Sequence, residues 1–141
     1  MRYVDSSVLV SAITSERETL TAQRFLARAA GGELVVSAWG LTEVAAALSM
    51  KVRMRLLRPR ERAAAQGVFD VMVRESFIVV PVPPNAFDHS ARLCVRATTA
   101  LRAGDALHLA VSHLAGATLH SFDKGLVRAA GSLGLPASLV R

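Results

Sequence analysis

Four carboxylates in this chain lie inside or at the edge of apolar segments, where an unpaired charge is costly: Asp5, Glu43, Asp105 and Asp123. Asp5 ends the apolar run that starts at Met1 and is followed at once by the hydroxyls of Ser6 and Ser7. Carboxylates gathered in one place repel one another, so they either take up protons or share a cation. An oxygen-only donor set of that kind suits Mg²⁺ or Mn²⁺, hard ions that keep several waters and also accept phosphate oxygens. Next to a basic surface, such a site implies phosphodiester chemistry. Taken singly, Asp5, Asp105 and Asp123 each have a simpler use as a helix N-cap, worth about 1 kcal/mol. Glu43 does not, because it lies inside a helical stretch with alanines behind it.

The elements that must position these acids are short apolar strands alternating with helices. Arg2 to Val4 reads as a buried strand and Ser6 to Ile13 as a helix. Ser15 to Glu18 reads as a capping box opening a helix with the stripe Ala22, Phe25, Leu26, Ala29, which Gly31-Gly32 stops. Leu34 to Val36 is a second strand, and Leu41, Val44, Ala45, Leu48 and Val52 mark a long helix from Ala38. Gly40 predicts a loosened start for it. Glu43 falls on its other side with Ala46, Ala47 and Met50, a face too apolar to be expected at the surface. Pro59 opens the next helix, with the stripe Ala64, Val68, Val71, Met72, and Ser76 to Val82 is a third strand. A helix bearing Phe87, Ala91, Cys94, Val95 and Thr98 follows, then one from Gly104-Asp105 to Leu114. Ala117 to Ser121 is the fourth strand, Asp123 caps a helix ending at Gly131, and Ala137 to Val140 is a weak last strand.

This alternation predicts an α/β fold, a largely parallel sheet with helices on both faces, in a single domain spanning residues 1–141. In such a sheet the carboxyl ends of the strands share one edge, and ligands bind where the strand order reverses. Asp5 and Asp123 follow strands, Asp105 begins a helix that returns to a strand, and Glu43 sits about one turn into the helix after the second strand. If the first and fourth strands are neighbours, all four line one crevice.

Composition narrows the partners. Seventeen basic residues, fifteen of them Arg, against eleven acids give a net charge of +6. That balance favours a polyanion such as nucleic acid, with solubility or genomic base composition as the alternative cause. The stretch Lys51 to Arg62 concentrates six positive charges; Arg53, Arg55, Arg58 and Arg60 are either an RNA contact or a solvated helix end. A hydrophobic fraction of 52% excludes disorder. Cys94 is the only cysteine, which excludes a disulfide framework and a thiolate zinc site, and its stripe places it in the core. Asp5 interrupts the N-terminal apolar run, and the longest uncharged stretch, Ala106 to Phe122, is short for a span and holds three histidines. A soluble cytoplasmic protein without a membrane partner is the expectation. The histidines lack the spacing of a zinc pair; His108, one turn from Asp105, has a place behind the acids as its alternative, and core or surface roles are expected of all four. No G-x-S-x-G elbow for a serine nucleophile occurs.

The stretches YVDSSVLV, TEVAAAL, LRAGDALHLA and HSFDKGLVRAA, in that order over nearly the whole chain, resemble PIN domains and, more narrowly, the VapC ribonuclease toxins of bacterial toxin-antitoxin pairs. The resemblance implies a three-layer α/β/α fold whose central, mainly parallel sheet has the strand order 3-2-1-4-5. It implies a metal-dependent endoribonuclease with Asp5, Glu43, Asp105 and Asp123 as the catalytic, metal-holding quartet, and Ser6 and Ser121 at hydroxyl positions beside it. Products with a 5′-phosphate and a 3′-hydroxyl, a homodimer, and an antitoxin that covers the cleft are further implications, with the helices from Ala38 to Glu75 as a clamp. On this reading Asp5 and Asp105 hold the main Mg²⁺ or Mn²⁺ and Asp123 and Glu43 complete the shell; the ion polarises the scissile phosphate and acidifies a water for attack. One rival is a phosphoacceptor signalling module, which needs an acid after the third strand, where Val80-Pro81-Val82-Pro83 has none. Another is a non-catalytic RNA-binding PIN-like domain, which has no need of all four acids.

Overall fold

The computed structural model describes residues 1–98 and 100–141. Its elements follow the expected alternation: β1 (Arg2–Val4), α1 (Ser6–Ile13), α2 (Thr19–Ala27), β2 (Leu34–Ser37), α3 (Ala38–Arg53), α4 (Pro59–Ser76), β3 (Phe77–Val80), α5 (Pro84–Arg96), α6 (Ala103–Leu114), β4 (Thr118–Ser121), α7 (Lys124–Ser132) and β5 (Ala137–Leu139). The strands form one sheet in the order β3-β2-β1-β4-β5. Every pairing is parallel, with Tyr3 in register with Val35 on one side and Leu119 on the other.

The two-residue pleat divides the core. Val4, Leu34 and Val36 face one cluster, built with α1, α2, α3 and α4 around Val8, Leu9, Leu48 and Phe69. Tyr3, Val35 and Leu119 face the other, built with α5, α6 and α7 around Leu93, Leu109, Val111 and Leu126. Strands buried on both faces read as continuous apolar runs, which is why Leu34–Ser37 is buried throughout.

Several local expectations fail for identifiable reasons. Ser15 does not cap α2: Glu18 occupies the N-cap without a side-chain bond, and Glu16 is drawn away to Lys51 and Ser11. In α4 the buried face is Ala65 and Phe69 with Met72 and Val73 beside them; of the expected stripe Met72 packs on the core, while Ala64, Val68 and Val71 are exposed. In α5 the expected stripe turns away from the core: Ala86 and Leu93 are buried, whereas Phe87, Ala91, Cys94 and Val95 face outward. Cys94 is therefore not a core residue. Of the apolar side chains expected beside Glu43 on α3, Ala47 packs on the core, whereas Ala46 and Met50 are exposed. The third strand is shorter than expected and forms an edge, with Ile78 and Val79 exposed. No helix among the described residues is long and apolar enough to cross a membrane.

Candidate metal centre

β1 lies between β2 and β4, so the sheet reverses direction of growth at the end of β1, and Asp5 is the first residue beyond that end. Asp5 occupies the N-cap position of α1, yet its carboxylate makes no cap bond. It is instead held by hydroxyls while only 5% exposed: Ser7 Oγ donates to Oδ2 at 2.6 Å and Ser121 Oγ to the same oxygen at 2.7 Å. Ser6 Oγ reaches Oδ1 at a longer 3.4 Å. With Oδ2 engaged twice, Oδ1 is the freer oxygen, and His108 Nε2 lies 3.6 Å from it.

Glu43 stands in the second turn of α3, half-buried, and its Oε2 meets His108 Nε2 in a short contact. Burial pushes its carboxyl up, but the His108 hydrogen bond and charge, with Ser6 and Trp39, outweigh it and hold the group below the usual carboxylate range. Gly40 does not loosen this helix. Ser37 caps α3 by accepting from Gly40 N–H, and a Cβ at Gly40 would stand 3.0 Å from Val36 Cγ2, so glycine lets the first turn press against β2. Gly104, at the start of α6, is similarly tight: a Cβ there would lie 3.3 Å from Glu43 Oε1 and 3.6 Å from Trp39 Cζ2.

Asp105 is in the first turn of α6, whose N-cap is Arg102, so the simple capping role does not apply to it. Burial raises its carboxyl above the usual range, and the negative fields of Asp123, Asp5 and Glu43 add to the rise, with His108 opposing. The four acids therefore share one electrostatic neighbourhood. Asp123 is the one that does cap a helix: its Oδ1 accepts from Gly125 N–H at 2.6 Å and Leu126 N–H at 3.0 Å. Its own N–H donates to Ser121 Oγ at 2.9 Å, tying it to the hydroxyl that holds Asp5.

Among the described residues, Asp5, Glu43 and His108 offer ligand atoms that all lie within 4.8 Å of one another; Asp105 and Asp123 stand outside that group. Carboxylate oxygens of Asp5 and Glu43 converge beside a third acid, Asp105, and an oxygen donor set of this kind fits a hard divalent cation. Arg53, Arg55, Arg58 and Arg60 do not join the cluster. They are exposed around the turn from α3 to α4, and Arg53 lies about 15 Å along the helix axis from Glu43 at 1.5 Å per residue.

Sequence reasoning noted the Ser7 hydroxyl without giving it a site role, passed over Tyr3 and Ser37, and favoured a core or surface role for His108 over one behind the acids. His108 is indeed buried, but both ring nitrogens are engaged, Nδ1 by Tyr3 at 2.7 Å. Ser7 was visible as a hydroxyl two residues after Asp5, where the first helical turn folds back over the strand end.

The sequence profile of the PIN domain matches residues 2–132. The chain belongs to the PIN domain family. Solved structures share the PIN fold at low identity. The VapC20 toxin of Mycobacterium tuberculosis, described as a sarcin-ricin loop cleaving toxin, is 20% identical with a TM-score of 0.73, over 96% of both chains. VapBC2 of Rickettsia felis, bound to a DNA fragment from its promoter, is 14% identical with a TM-score of 0.72 over 100% of both chains. FitAcB of Neisseria gonorrhoeae is 14% identical with a TM-score of 0.73, covering 97% of this chain and 96% of that one. A comparison with curated protein sequences finds no match.

Proposed function

We infer that this PIN domain protein is a divalent-metal-dependent endoribonuclease, a toxin of the VapC kind restrained by a cognate antitoxin. The observation that carries the reading is Asp5: a carboxylate almost wholly buried at the sheet's switch point, spent on no helix cap, and facing Glu43 across a few ångströms. Asp5, Glu43 and Asp105 would hold the ion, with Asp123 completing the charge from its cap position. When bound, a Mg²⁺ or Mn²⁺ ion supplies polarisation of the phosphate and a water of lowered pKa. The protein's own part is to fix the acids in advance. Ser7 and Ser121 lock Asp5 Oδ2, Ser6 sits between Asp5 and Glu43, and the cap bonds fix Asp123.

The seat for the RNA backbone on this reading is a cleft of about 500 Å³ lined by Arg17, Lys124 and Arg141, which flanks Asp123 at the ends of β4 and β5. It adjoins Asp123 through Phe122 and Lys124, and the Arg53 to Arg60 stretch is left for an antitoxin. The likeness to VapBC2 and FitAcB favours an antitoxin partner, and the exposed apolar side chains Met50, Val68 and Val71 favour burial in a homodimer or against that antitoxin. A cytoplasmic, single-domain protein accords with this reading. The phosphoacceptor rival lacks its acid, because β3 ends at Val80 and Pro81 follows.

The test is incubation of the purified protein with total RNA and Mg²⁺ or Mn²⁺, followed by mapping of cleavage ends. Cuts bearing a 5′-phosphate and a 3′-hydroxyl, lost in Asp5→Asn protein of unchanged thermal stability, are the expected result. Cleavage retained in Asp5→Asn would refute it.

A further inference from the structure

Three side chains outside the acidic set are tied to it by an unbroken line of hydrogen bonds. Ser37 Oγ accepts from Gly40 N–H at 3.1 Å and lies 2.6 Å from Tyr3 Oη; Tyr3 Oη lies 2.7 Å from His108 Nδ1; His108 Nε2 meets Glu43 Oε2. Tyr3 and Ser37 are 0% exposed and His108 is 1% exposed, so each proton in the line must find its acceptor within it.

Counting protons fixes the direction. The Ser37 hydroxyl accepts from Gly40, and its only other hydrogen-bond partner among the described residues is Tyr3, so its proton goes to Tyr3 Oη. With Tyr3 Oη accepting from Ser37, the phenol's own proton is left to His108 Nδ1, 2.7 Å away. A ring that accepts at Nδ1 carries its proton on Nε2, facing Glu43. Reversing the line would leave one buried hydroxyl proton without an acceptor, at about 1–3 kcal/mol.

We propose that His108 is a positioning residue and not a metal ligand: Ser37 and Tyr3 set its tautomer so that Nε2–H donates to Glu43 and aims that carboxylate toward Asp5. The group within 4.8 Å then consists of two oxygen ligands and one donor that orients them. Ser37 acts twice, capping α3 directly and fixing, through Tyr3 and His108, the side chain carried on the second turn of the same helix. The metal part of this proposal rests on the cation reading given under Proposed function; the tautomer part does not.

Two measurements on the unaltered protein test it. With histidine labelled with ¹⁵N, long-range proton–nitrogen spectra show the neutral His108 ring with its proton on Nε2, and pulsed electron paramagnetic resonance of bound Mn²⁺ shows no directly coordinated nitrogen. Variants test the coupling by Mn²⁺ calorimetry. Tyr3→Phe lowers affinity about tenfold, the usual scale for a group that orients a ligand. It costs nothing further in a Glu43→Gln background, and His108→Gln, whose amide replaces the Nε2–H donor, loses less than His108→Ala. A proton on Nδ1, a directly bonded nitrogen, or losses that multiply between Tyr3→Phe and Glu43→Gln would overturn the proposal. If the unaltered protein binds no Mn²⁺, the cation reading fails, and the tautomer spectra still decide the relay. Both measurements on the unaltered protein stand if Tyr3→Phe does not fold.

Discussion

Ser121→Ala isolates the hydroxyl that joins β4 to the acid after β1. Ser121 is fully buried, donates to Asp5 Oδ2 at 2.7 Å and accepts from Asp123 N–H at 2.9 Å. Alanine removes a hydrogen bond to a charged acceptor, worth about 1.5–3 kcal/mol, and leaves the Asp123 N–H short of a partner, adding about 1 kcal/mol. Ser7 remains on the same oxygen at 2.6 Å and absorbs part of the loss, so a net cost of about 2–3 kcal/mol is expected. At about 2.1 cal/mol/K of unfolding entropy per residue, this chain loses about 7–10 °C of Tm. Mn²⁺ affinity falls about tenfold, because Oδ2 is then held by the Ser7 hydroxyl alone and Oδ1 is presented at a less fixed angle. Scanning calorimetry without metal gives the first number and titration calorimetry the second. Ser121→Thr, which keeps the hydroxyl, restores both. A Ser121→Ala protein that melts within about 2 °C of the unaltered chain and binds Mn²⁺ equally well would refute the claim that this hydroxyl organises the site.

Asp105→Asn is expected to stabilise the metal-free protein while abolishing cleavage. The folded-state pKa of Asp105 is raised above 3.8 by burial and then by Asp123, Asp5 and Glu43, so its contribution to stability is complete below that value and lost as pH rises through the folded pKa. The variant's advantage in Tm therefore appears toward neutral pH and vanishes in acid, and added Mn²⁺ raises the Tm of the unaltered protein only; thermal melts across pH check both. Gly104→Ala places a methyl 3.3 Å from Glu43 Oε1 and should weaken Mn²⁺ binding with little change in the circular dichroism spectrum. Arg17→Ala combined with Arg141→Ala should weaken RNA binding and reduce the slope of log affinity against log salt by about 1.4 for a single strand, as two phosphate contacts require; an unchanged slope moves the RNA away from that cleft.

The parallel sheet and its layering were legible because each rests on a period, whereas the strand order followed only from the resemblance to PIN domains. Apolar runs of three or four residues between helices of helical spacing leave few arrangements besides a parallel sheet covered on both faces. What the period could not settle was which of two adjacent apolar stripes turns inward. In α4 the choice between Val68 and Phe69, and in α5 between Phe87 and Ala86, was decided by which neighbour the helix meets. Ala86 is buried in the cluster that α5 shares with α6, while Phe87, the next residue, is exposed. Local propensity carries no record of those neighbours.

The acids were legible for a different reason: a carboxylate in an apolar segment is a cost, and a cost calls for a use. The groups that aim them were not, because Ser, Tyr and His are ordinary occupants of a core margin and carry no penalty that a sequence displays. Tyr3 is separated from His108 by most of the chain, and only the pairing of β1 with its neighbours brings its hydroxyl under α6. The same separation makes the arrangement demanding. The Asp5 carboxylate needs hydroxyls from α1 and β4, and Glu43 needs a histidine from α6 set by β1 and the end of β2. A centre held this way cannot form before both crossovers are in place, so the acids are kept apart in the unfolded chain and meet only when the groups that offset their repulsion arrive with them.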